Sequence, residues 1–281
     1  WPSRTHAYPE AMIWYGRTLT EREKFDEADF LFRDLEEDLW FPPSLRDELA
    51  TAEANLWIKQ KKYDKAIPSL TKAIELTKKK KQRARLAFIL AQLLERSGRN
   101  EEAYAAYETV LRSNPVYEMD FTARLRQIQA GWANGKITSA DANRSLERMI
   151  RDEKNKEYRD RIYYTLAEIA LKDGLKKEAI TLLRKSLDAS SGDAVQRSES
   201  FLKIADLYFE AEDFVNAKNY YDSTLTVLPS TDERSLRVTA YAANLTDIAR
   251  LIKTIAANDS IVRVYRMGEE ERKDLKKKIK K

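Results

Sequence analysis

Residues 90–115 read LAQLLERSGRNEEAYAAYETVLRSNP, and this stretch decides the fold. Gly98 divides it into two segments that we interpret as helices. Ala91 and Ala103 are small residues on either side of that break, and the large Tyr107 follows Ala103 by one helical turn. Two helix axes approach to about 8 Å only where small side chains meet. The stretch therefore predicts two helices packed against each other.

The same three positions recur along the chain with a period close to 38 residues. The anchor positions are Ala28, Ala66, Ala103, Ala142, Ala179 and Ala217. A second column of small residues stands twelve positions earlier: Gly16, Ala54, Ala91, Ala130, Ala167 and Ala205. A column of large residues stands four positions later: Phe32, Leu70, Tyr107, Leu146, Leu183 and Tyr221. The pattern predicts an all-α superhelix (α-solenoid) of about six helix pairs within residues 1–232.

The flanking residues allow approximate helix bounds to be drawn. First helices are expected near 8–21, 45–60, 81–96, 118–134, 157–172 and 197–211. Second helices are expected near 25–38, 63–77, 100–113, 140–152, 176–188 and 214–227. A capping helix over 233–257 is expected to cover the sixth pair with Leu236, Ala240, Ala243, Ile248, Leu251 and Ile255. Residues 258–281 are expected to be polar and weakly ordered, because Asn258-Asp259-Ser260 breaks that helix.

The amino-acid composition excludes most kinds of catalytic and metal-binding site. The 281 residues carry 51 Lys and Arg against 46 Asp and Glu, a net charge of +5 that is too balanced to indicate a nucleic-acid partner. Cys is absent and His6 is the one imidazole, which removes disulfides, Cys/His zinc sites, thiol nucleophiles and nearly all Ser-His-Asp arrangements. We therefore expect no enzyme activity, and no catalytic, cofactor or metal site.

Two other motifs have ordinary interpretations. Residues 131–138 look like a phosphate-binding loop, but only three residues separate the two glycines and Ile137 follows the lysine where a hydroxyl is needed. The lysine runs 78–81 and 276–281 lack interleaved aromatic residues and are interpreted as solvated. No apolar run approaches the ~18 residues of a membrane-spanning helix.

The columns and residues 90–115 resemble the tetratricopeptide repeat. The segments 217–229, 244–255 and 267–272, with the opening 8–17, are similar to a narrower family, the tetratricopeptide lipoproteins of Bacteroidetes type IX secretion (SprE/PorW type). This resemblance implies a fragment of a periplasmic outer-membrane lipoprotein, required for type IX secretion and in some bacteria for gliding. It implies protein partners in the secretion translocon or its motor or ring components, and membrane contact only through a lipid anchor outside these residues. The alternative is an intracellular peptide-binding cochaperone or regulatory adaptor.

In the tetratricopeptide family, ligands commonly lie in the groove lined by first helices. Eleven positions before the anchors stand Arg17, Asn55, Gln92, Gly131, Glu168 and Asp206, a nearly unbroken polar ladder. Eighteen positions before the anchors stand Glu10, Glu48, Arg85, Arg124, Arg161 and Glu199. These columns predict a groove that binds an extended segment, with the three arginines contacting acidic side chains. The alternatives are that these residues are merely solvated, or that partners use the convex face or the Trp40-Phe41 loop, whose aromatic side chains either pack or dock a partner.

Overall fold

The structure is a computed structural model that describes residues 7–190 and 192–279, so His6 lies outside the described residues. These residues form α-helices with no strand among them. The helices are α1 (Ala7–Glu21), α2 (Phe25–Glu37), α3 (Arg46–Lys59), α4 (Tyr63–Leu76), α5 (Lys80–Arg96), α6 (Asn100–Arg112), α7 (Tyr117–Ala133), α8 (Ser139–Arg151), α9 (Arg159–Lys172), α10 (Lys176–Ala189), α11 (Ala194–Glu210), α12 (Phe214–Leu225), α13 (Ser235–Arg266) and α14 (Glu269–Ile279). The all-helical prediction is confirmed, and the bounds of the first twelve helices agree within about three residues.

The chain divides into two compact units, Trp1–Leu146 and Glu147–Lys281. In the first unit, α1 packs on α2, α3 on α4 and α5 on α6, while α3, α5 and α7 each pack on the helix before them. In the second unit, α9 pairs with α10 and α11 with α12, and α13 packs on α12. Within each unit, helix pairs thus stack in chain order, as an α-solenoid requires.

The three columns found in the sequence form the core of the helix pairs. All eighteen of their side chains or glycine positions are buried. Gly16 shows why the column must be small, since a Cβ there would overlap the ring of Phe32. Gly131, which follows the column residue Ala130, is packed as closely, because a Cβ there would lie 2.8 Å from a ring carbon of Tyr104. The small residues therefore mark the closest approaches between helices, as predicted.

Each turn from a first to a second helix contains one residue with positive φ. Three are glycines, namely Gly98, Gly135 and Gly174, and three are not, namely Glu23, Lys61 and Glu212. At Lys61 the φ is 60°, and the next amide, that of Lys62, donates to the Trp57 carbonyl at 2.9 Å. This bond satisfies a carbonyl at the helix end that would otherwise have no partner. The turns therefore share a positive φ even where the residue is not glycine, which adopts this conformation most readily.

The last long helix differs from the prediction. Asn258-Asp259-Ser260 does not break it, because α13 continues to Arg266, and the Ser260 hydroxyl donates to the Ala256 carbonyl at 2.8 Å. Each of these polar residues lowers helix stability by only ~0.7 kcal/mol or less. The helix ends before Gly268, the first glycine or proline after its start. Weak order over 258–281 remains a prediction.

The face that α13 presents to the sixth pair also differs from the prediction. The buried residues are Val238, Ala242, Leu245 and Ala249, which pack with Tyr221 and other residues of α11 and α12. The expected residues, Leu236, Ala240, Ala243, Ile248, Leu251 and Ile255, are all exposed. Apolar residues stand on every side of this helix, so their spacing alone does not identify the packed face. The predicted contact stripe was wrong for that reason.

Candidate protein-binding site

The first helices of the first unit, α1, α3 and α5, line a groove of about 380 Å³. Two residues of the predicted ladder, Arg17 and Asn55, line this groove. Its other lining residues include Trp14, Glu21, Thr51, Ile58, Leu86 and Ile89. The groove thus combines an apolar floor with polar side chains at its edge, which suits a peptide segment.

The apolar part of the groove centres on Trp14, which sequence reasoning missed. Its side chain is 58% exposed, and the Arg17 guanidinium lies 4.7 Å from its ring centroid. Ile89 of α5 is also exposed on this side. An exposed tryptophan held by a cation–π contact is a rigid surface for a partner side chain, because the ring loses little freedom when it is covered.

The charged side chains that line the groove are Arg17 and Glu21. Glu21 is the one carboxylate among its lining residues, and its oxygen accepts from the Lys59 ammonium at 2.9 Å. This hydrogen bond, together with the charge of Lys59, lowers the pKa of Glu21. On α5, Arg85 and Gln92 are exposed, and Arg85 forms no ion pair with any residue that the structure describes. Arg17 and Arg85 are therefore available to an acidic partner.

Arg124 lies on α7 in the same unit, but it is already paired within its own helix. Its Nε donates to Asp120 at 2.6 Å and its second contact to that carboxylate is 3.0 Å. The hydrogen bond to Asp120 raises the pKa of Arg124. A partner carboxylate would have to compete with Asp120 for this guanidinium, which makes Arg124 a weaker contact than Arg85.

In the second unit, residues of the two predicted polar columns form contacts within the chain. Arg161 of α9 donates to Asp193 at 3.0 Å, and Asp193 also accepts from the first amides of α11. Asp206 of α11 accepts from the Tyr221 hydroxyl at 2.8 Å. Burial, with this hydrogen bond, raises the pKa of Tyr221. Glu168 is half-buried on α9. Arg161 and Asp206 already have partners in the chain, so less of the two columns is open to a binding partner. The use of these columns in binding remains a prediction.

The Trp40-Phe41 pair is divided between the two expected roles. Phe41 packs in the core at 2% exposure, and the Arg46 guanidinium lies 5.5 Å from its ring centroid. Trp40 is 88% exposed and its neighbour Leu39 is 92% exposed. The backbone amide of Trp40 donates to the Asp38 carboxylate at 2.9 Å, which helps to fix this loop. The loop therefore exposes Trp40 and is anchored by the buried Phe41, and docking of a partner on Trp40 remains a prediction.

A second groove of about 320 Å³ lies on the second-helix side of the first unit, and sequence reasoning missed it. Its lining includes Ile67, Ile74, Leu90, Leu94 and Ala105. Ile67 and Ile74 of α4 are one and eight positions after the anchor Ala66, outside the three columns. Apolar residues at those positions were the available signal for this groove.

An interrepeat cluster of carboxylates adjoins α2, α3 and α4. Burial raises the pKa of Glu53 on α3 to about 7, and the neighbouring charge of Glu36 adds to the effect. The pKa of Glu36 on α2 is lowered, above all by its hydrogen bond from Lys72 of α4. The negative charge of Asp29 also raises the pKa of Glu53, and the positive charge of Arg46 also lowers the pKa of Glu36. A protonated Glu53 on α3 can donate a hydrogen bond to the Glu36 carboxylate on α2.

Among the residues that the structure describes, no group of three or more His, Cys, Asp or Glu side chains is arranged to hold a metal ion. None of the helices in the described part combines the length and the apolar character needed to cross a membrane.

Comparison with known proteins places the helix pairs in a known repeat. The pattern of the tetratricopeptide repeat matches residues 51–118, 90–140 and 126–194, which together span just over half of the chain. No curated protein sequence matches the chain.

Solved structures with the same fold have low sequence identity to this chain. The apo form of the quorum sensor NprR from B. thuringiensis is 14% identical with a TM-score of 0.58, covering 84% of this chain and 68% of that one. PilW, a type IV pilus biogenesis factor, is 17% identical with a TM-score of 0.52, covering 83% and 98%. PilF from Pseudomonas aeruginosa is 18% identical with a TM-score of 0.48, covering 83% and 96%. At these identities the likeness concerns the fold alone.

Proposed function

We propose, since this chain belongs to the tetratricopeptide-repeat family, that it is a non-enzymatic scaffold that binds a protein partner in the first-helix groove of its first unit. Tetratricopeptide repeats act as protein-interaction scaffolds. The observation that carries the proposal is the exposed Trp14 beside Arg17, with Arg85 exposed on α5. This arrangement suits an extended segment that places an apolar side chain on Trp14 and acidic side chains near the two arginines.

Polar side chains on the first helices can also bind the backbone of a partner segment. Asn55 and Gln92 are amides that donate and accept hydrogen bonds, so they can pair with the main chain of an extended segment. Asn55 hydrogen-bonds to Glu21, whose charge Lys59 compensates. A partner carboxylate in the groove would meet the Arg17 cation and one anion, Glu21, that is already paired with Lys59, while Arg85 is exposed nearby in sequence on α5, so the site favours an acidic partner over a basic one.

The cellular setting rests on the resemblance in residues 217–272. We propose a periplasmic adaptor, anchored to the outer membrane, that links the translocon of type IX secretion or gliding motility to other components of that machinery. An intracellular cochaperone or regulatory adaptor is the alternative. Crosslinking and affinity capture of the full-length protein from its own cells separates them. Recovery of outer-membrane translocon subunits supports the secretion role, whereas recovery of cytosolic chaperones alone refutes it.

The groove itself is tested with the partner that this capture identifies. The double variant Arg17→Glu and Arg85→Glu should weaken binding at least tenfold, on the order of 1.4 kcal/mol. The matched control is Arg112→Glu, since Arg112 is exposed on the second helix α6, outside the groove lining. Binding measured by titration calorimetry should change less than about twofold for the control. An unchanged affinity in the folded double variant would exclude the groove.

The apolar contact is tested separately. Trp14→Ala should weaken binding by about 2 kcal/mol, because exposed groove tryptophans are common hot spots. Phe30→Ala is the control, since Phe30 is an exposed aromatic residue of α2 that does not line the groove. Equal losses of affinity in both variants would indicate non-specific hydrophobic association rather than a defined site. Loss in Trp40→Ala alone would move the site to the 39–40 loop.

A further inference from the structure

Among the residues that the structure describes, no other helix packs against the second half of α13. Its first half is held on α12 by Val238, Ala242, Leu245 and Ala249. From Arg250 to Arg266, every residue of the helix is exposed. At ~1.5 Å per residue, these residues extend the helix by about 25 Å. A helix of this length with many apolar side chains needs a partner to remain stable in water.

Five of the exposed large apolar residues follow a seven-residue repeat along one face, while Ile252, Ile261 and Val264 lie outside it. The first position of the repeat is occupied by Ile248, Ile255 and Val262, and the fourth by Leu251, Asn258 and Tyr265. Of these six residues, all except Asn258 are large and apolar, and all are exposed. Lys253 stands on the opposite face of the helix. A seam with this period is the contact pattern of two helices that wind around each other.

We propose that this seam pairs with the same seam of a second copy of the chain, as a parallel, in-register two-stranded coiled coil over residues 248–265. β-Branched residues at the first position of the repeat, with leucine at the fourth, favour two strands. Ile248, Ile255 and Val262 meet the first condition throughout, and Leu251 meets the second. The occupant of the face is therefore a second α13 helix.

Asn258 selects the parallel and in-register arrangement. In that arrangement, each Asn258 meets its own counterpart, and the two side-chain amides donate to and accept from each other. In an antiparallel pair, first positions face fourth positions, so Ile248 would face Tyr265, and Asn258 would face Ile255 and bury its amide without a partner. Buried amides without partners are strongly disfavoured. A single polar residue in such a seam commonly fixes register and orientation in this way.

The charges beside the seam are compatible with this pairing. In a parallel pair, residues just before the first position of one chain face residues just after the fourth position of the other. The resulting neighbours are Asp247 with Ile252, Thr254 with Asp259, and Ile261 with Arg266. None of these pairs brings like charges together, so electrostatic repulsion does not oppose the dimer.

The available area determines the expected strength. The exposed fractions of the five apolar seam residues and of Ile252 together equal about three fully exposed large side chains. This corresponds to roughly 600 Å² per chain and roughly 1,200 Å² in the pair, the lower end of specific interfaces. We therefore expect a reversible dimer with a dissociation constant on the order of micromolar.

The absence of cysteine from the chain permits a direct test of register. Three single variants of the intact chain are compared under mild oxidation: Ile248→Cys, Val262→Cys and the opposite-face control Lys253→Cys. In the parallel pair, the first two variants should each form a disulfide-linked dimer with itself, at least tenfold faster than the control. If neither variant forms a disulfide with itself, while Ile248→Cys mixed with Tyr265→Cys forms one, the helices are antiparallel and the proposal is overturned.

Sedimentation measurements on the chain without substitutions complete the test. The apparent mass should rise from monomer to dimer as concentration passes through the micromolar range. Ile255→Lys should keep the chain monomeric while its helical circular dichroism and unfolding midpoint stay close to those of the parent, because residue 255 does not pack on α12. A chain that stays monomeric, or an Ile255→Lys variant that still dimerises, would overturn the proposal.

Discussion

Replacing Glu53 by glutamine should remove a pH dependence of stability that the interrepeat carboxylate cluster creates. The pKa of Glu53 is about 7 in the folded chain against 4.5 for an unperturbed glutamate, because burial and the charge of Glu36 disfavour its ionised form. The folded state therefore binds the proton more tightly than the unfolded state. The stabilisation is fully present below pH 4.5 and is lost as pH rises through 7.

The magnitude follows from the size of the shift. One pKa unit corresponds to about 1.4 kcal/mol, so a change from 4.5 to about 7 sets a ceiling of about 3 kcal/mol on the loss. Lys72 offsets part of the repulsion between the two carboxylates, because its ammonium pairs with Glu36 and its charge lowers the pKa of Glu53. We expect a loss of about 1–3 kcal/mol between pH 5 and pH 8. Glutamine keeps a hydrogen-bond donor toward Glu36 and does not ionise, so the variant should lack this loss.

The assay is urea unfolding followed by helical circular dichroism at pH 5 and at pH 8. The parent should lose about 1–3 kcal/mol more than Glu53→Gln between the two pH values. Glu75→Gln is the control, since Glu75 is exposed on the neighbouring helix α4, and this variant should behave as the parent does. Equal losses in the parent and in Glu53→Gln would show that Glu53 does not hold a proton in the folded chain, and would refute the reasoning.

Three further outcomes concern the helix crossing, a turn and the end of the chain. Gly16→Ala should destabilise the first unit by about 1–3 kcal/mol in urea unfolding, because its Cβ overlaps the Phe32 ring, and Phe32→Leu should recover part of the loss. Lys61→Gly should raise stability by about 0.5–1 kcal/mol, since the φ of 60° is unfavourable for lysine; a loss would show that the side chain has a stabilising contact. Backbone amides after Asn258 should exchange quickly in dilute solution, where no second copy is bound, and strong protection there in a monomer would contradict this.

The helix pairs were predictable because the sequence records their closest contacts directly. A crossing with little room for a side chain, such as Gly16 against Phe32, leaves glycine or alanine at the same position of every repeat. The turns were predictable where glycine marks them, as at Gly98, but their geometry at Lys61 was not, since lysine gives no signal for positive φ. The packed face of α13 was not predictable, because apolar residues surround that helix and only contact with α12 distinguishes Leu245 from Leu251.

The candidate site was predictable only in part. The column argument placed Arg17 and Asn55 on first helices, and both line the groove. It missed Trp14, because an aromatic residue in a helical repeat was assigned to the core by default. It also treated Arg161 as free for a partner, whereas that guanidinium pairs with Asp193, 32 positions later in the chain. Sequence columns show which residues recur, but they do not show which side chains the next repeat has already engaged.

The stacking of helices in chain order has a consequence for how the protein folds. The main contacts of each helix within a unit are with the next helix or the one after it, such as α3 with α4 and α1 with α3. Proteins dominated by such local contacts fold quickly, because little chain entropy is lost before each contact forms. During synthesis, the pair α1–α2 can therefore form as soon as residues through Glu37 are free, without waiting for any distant segment. Each later pair then adds to a surface that is already in place.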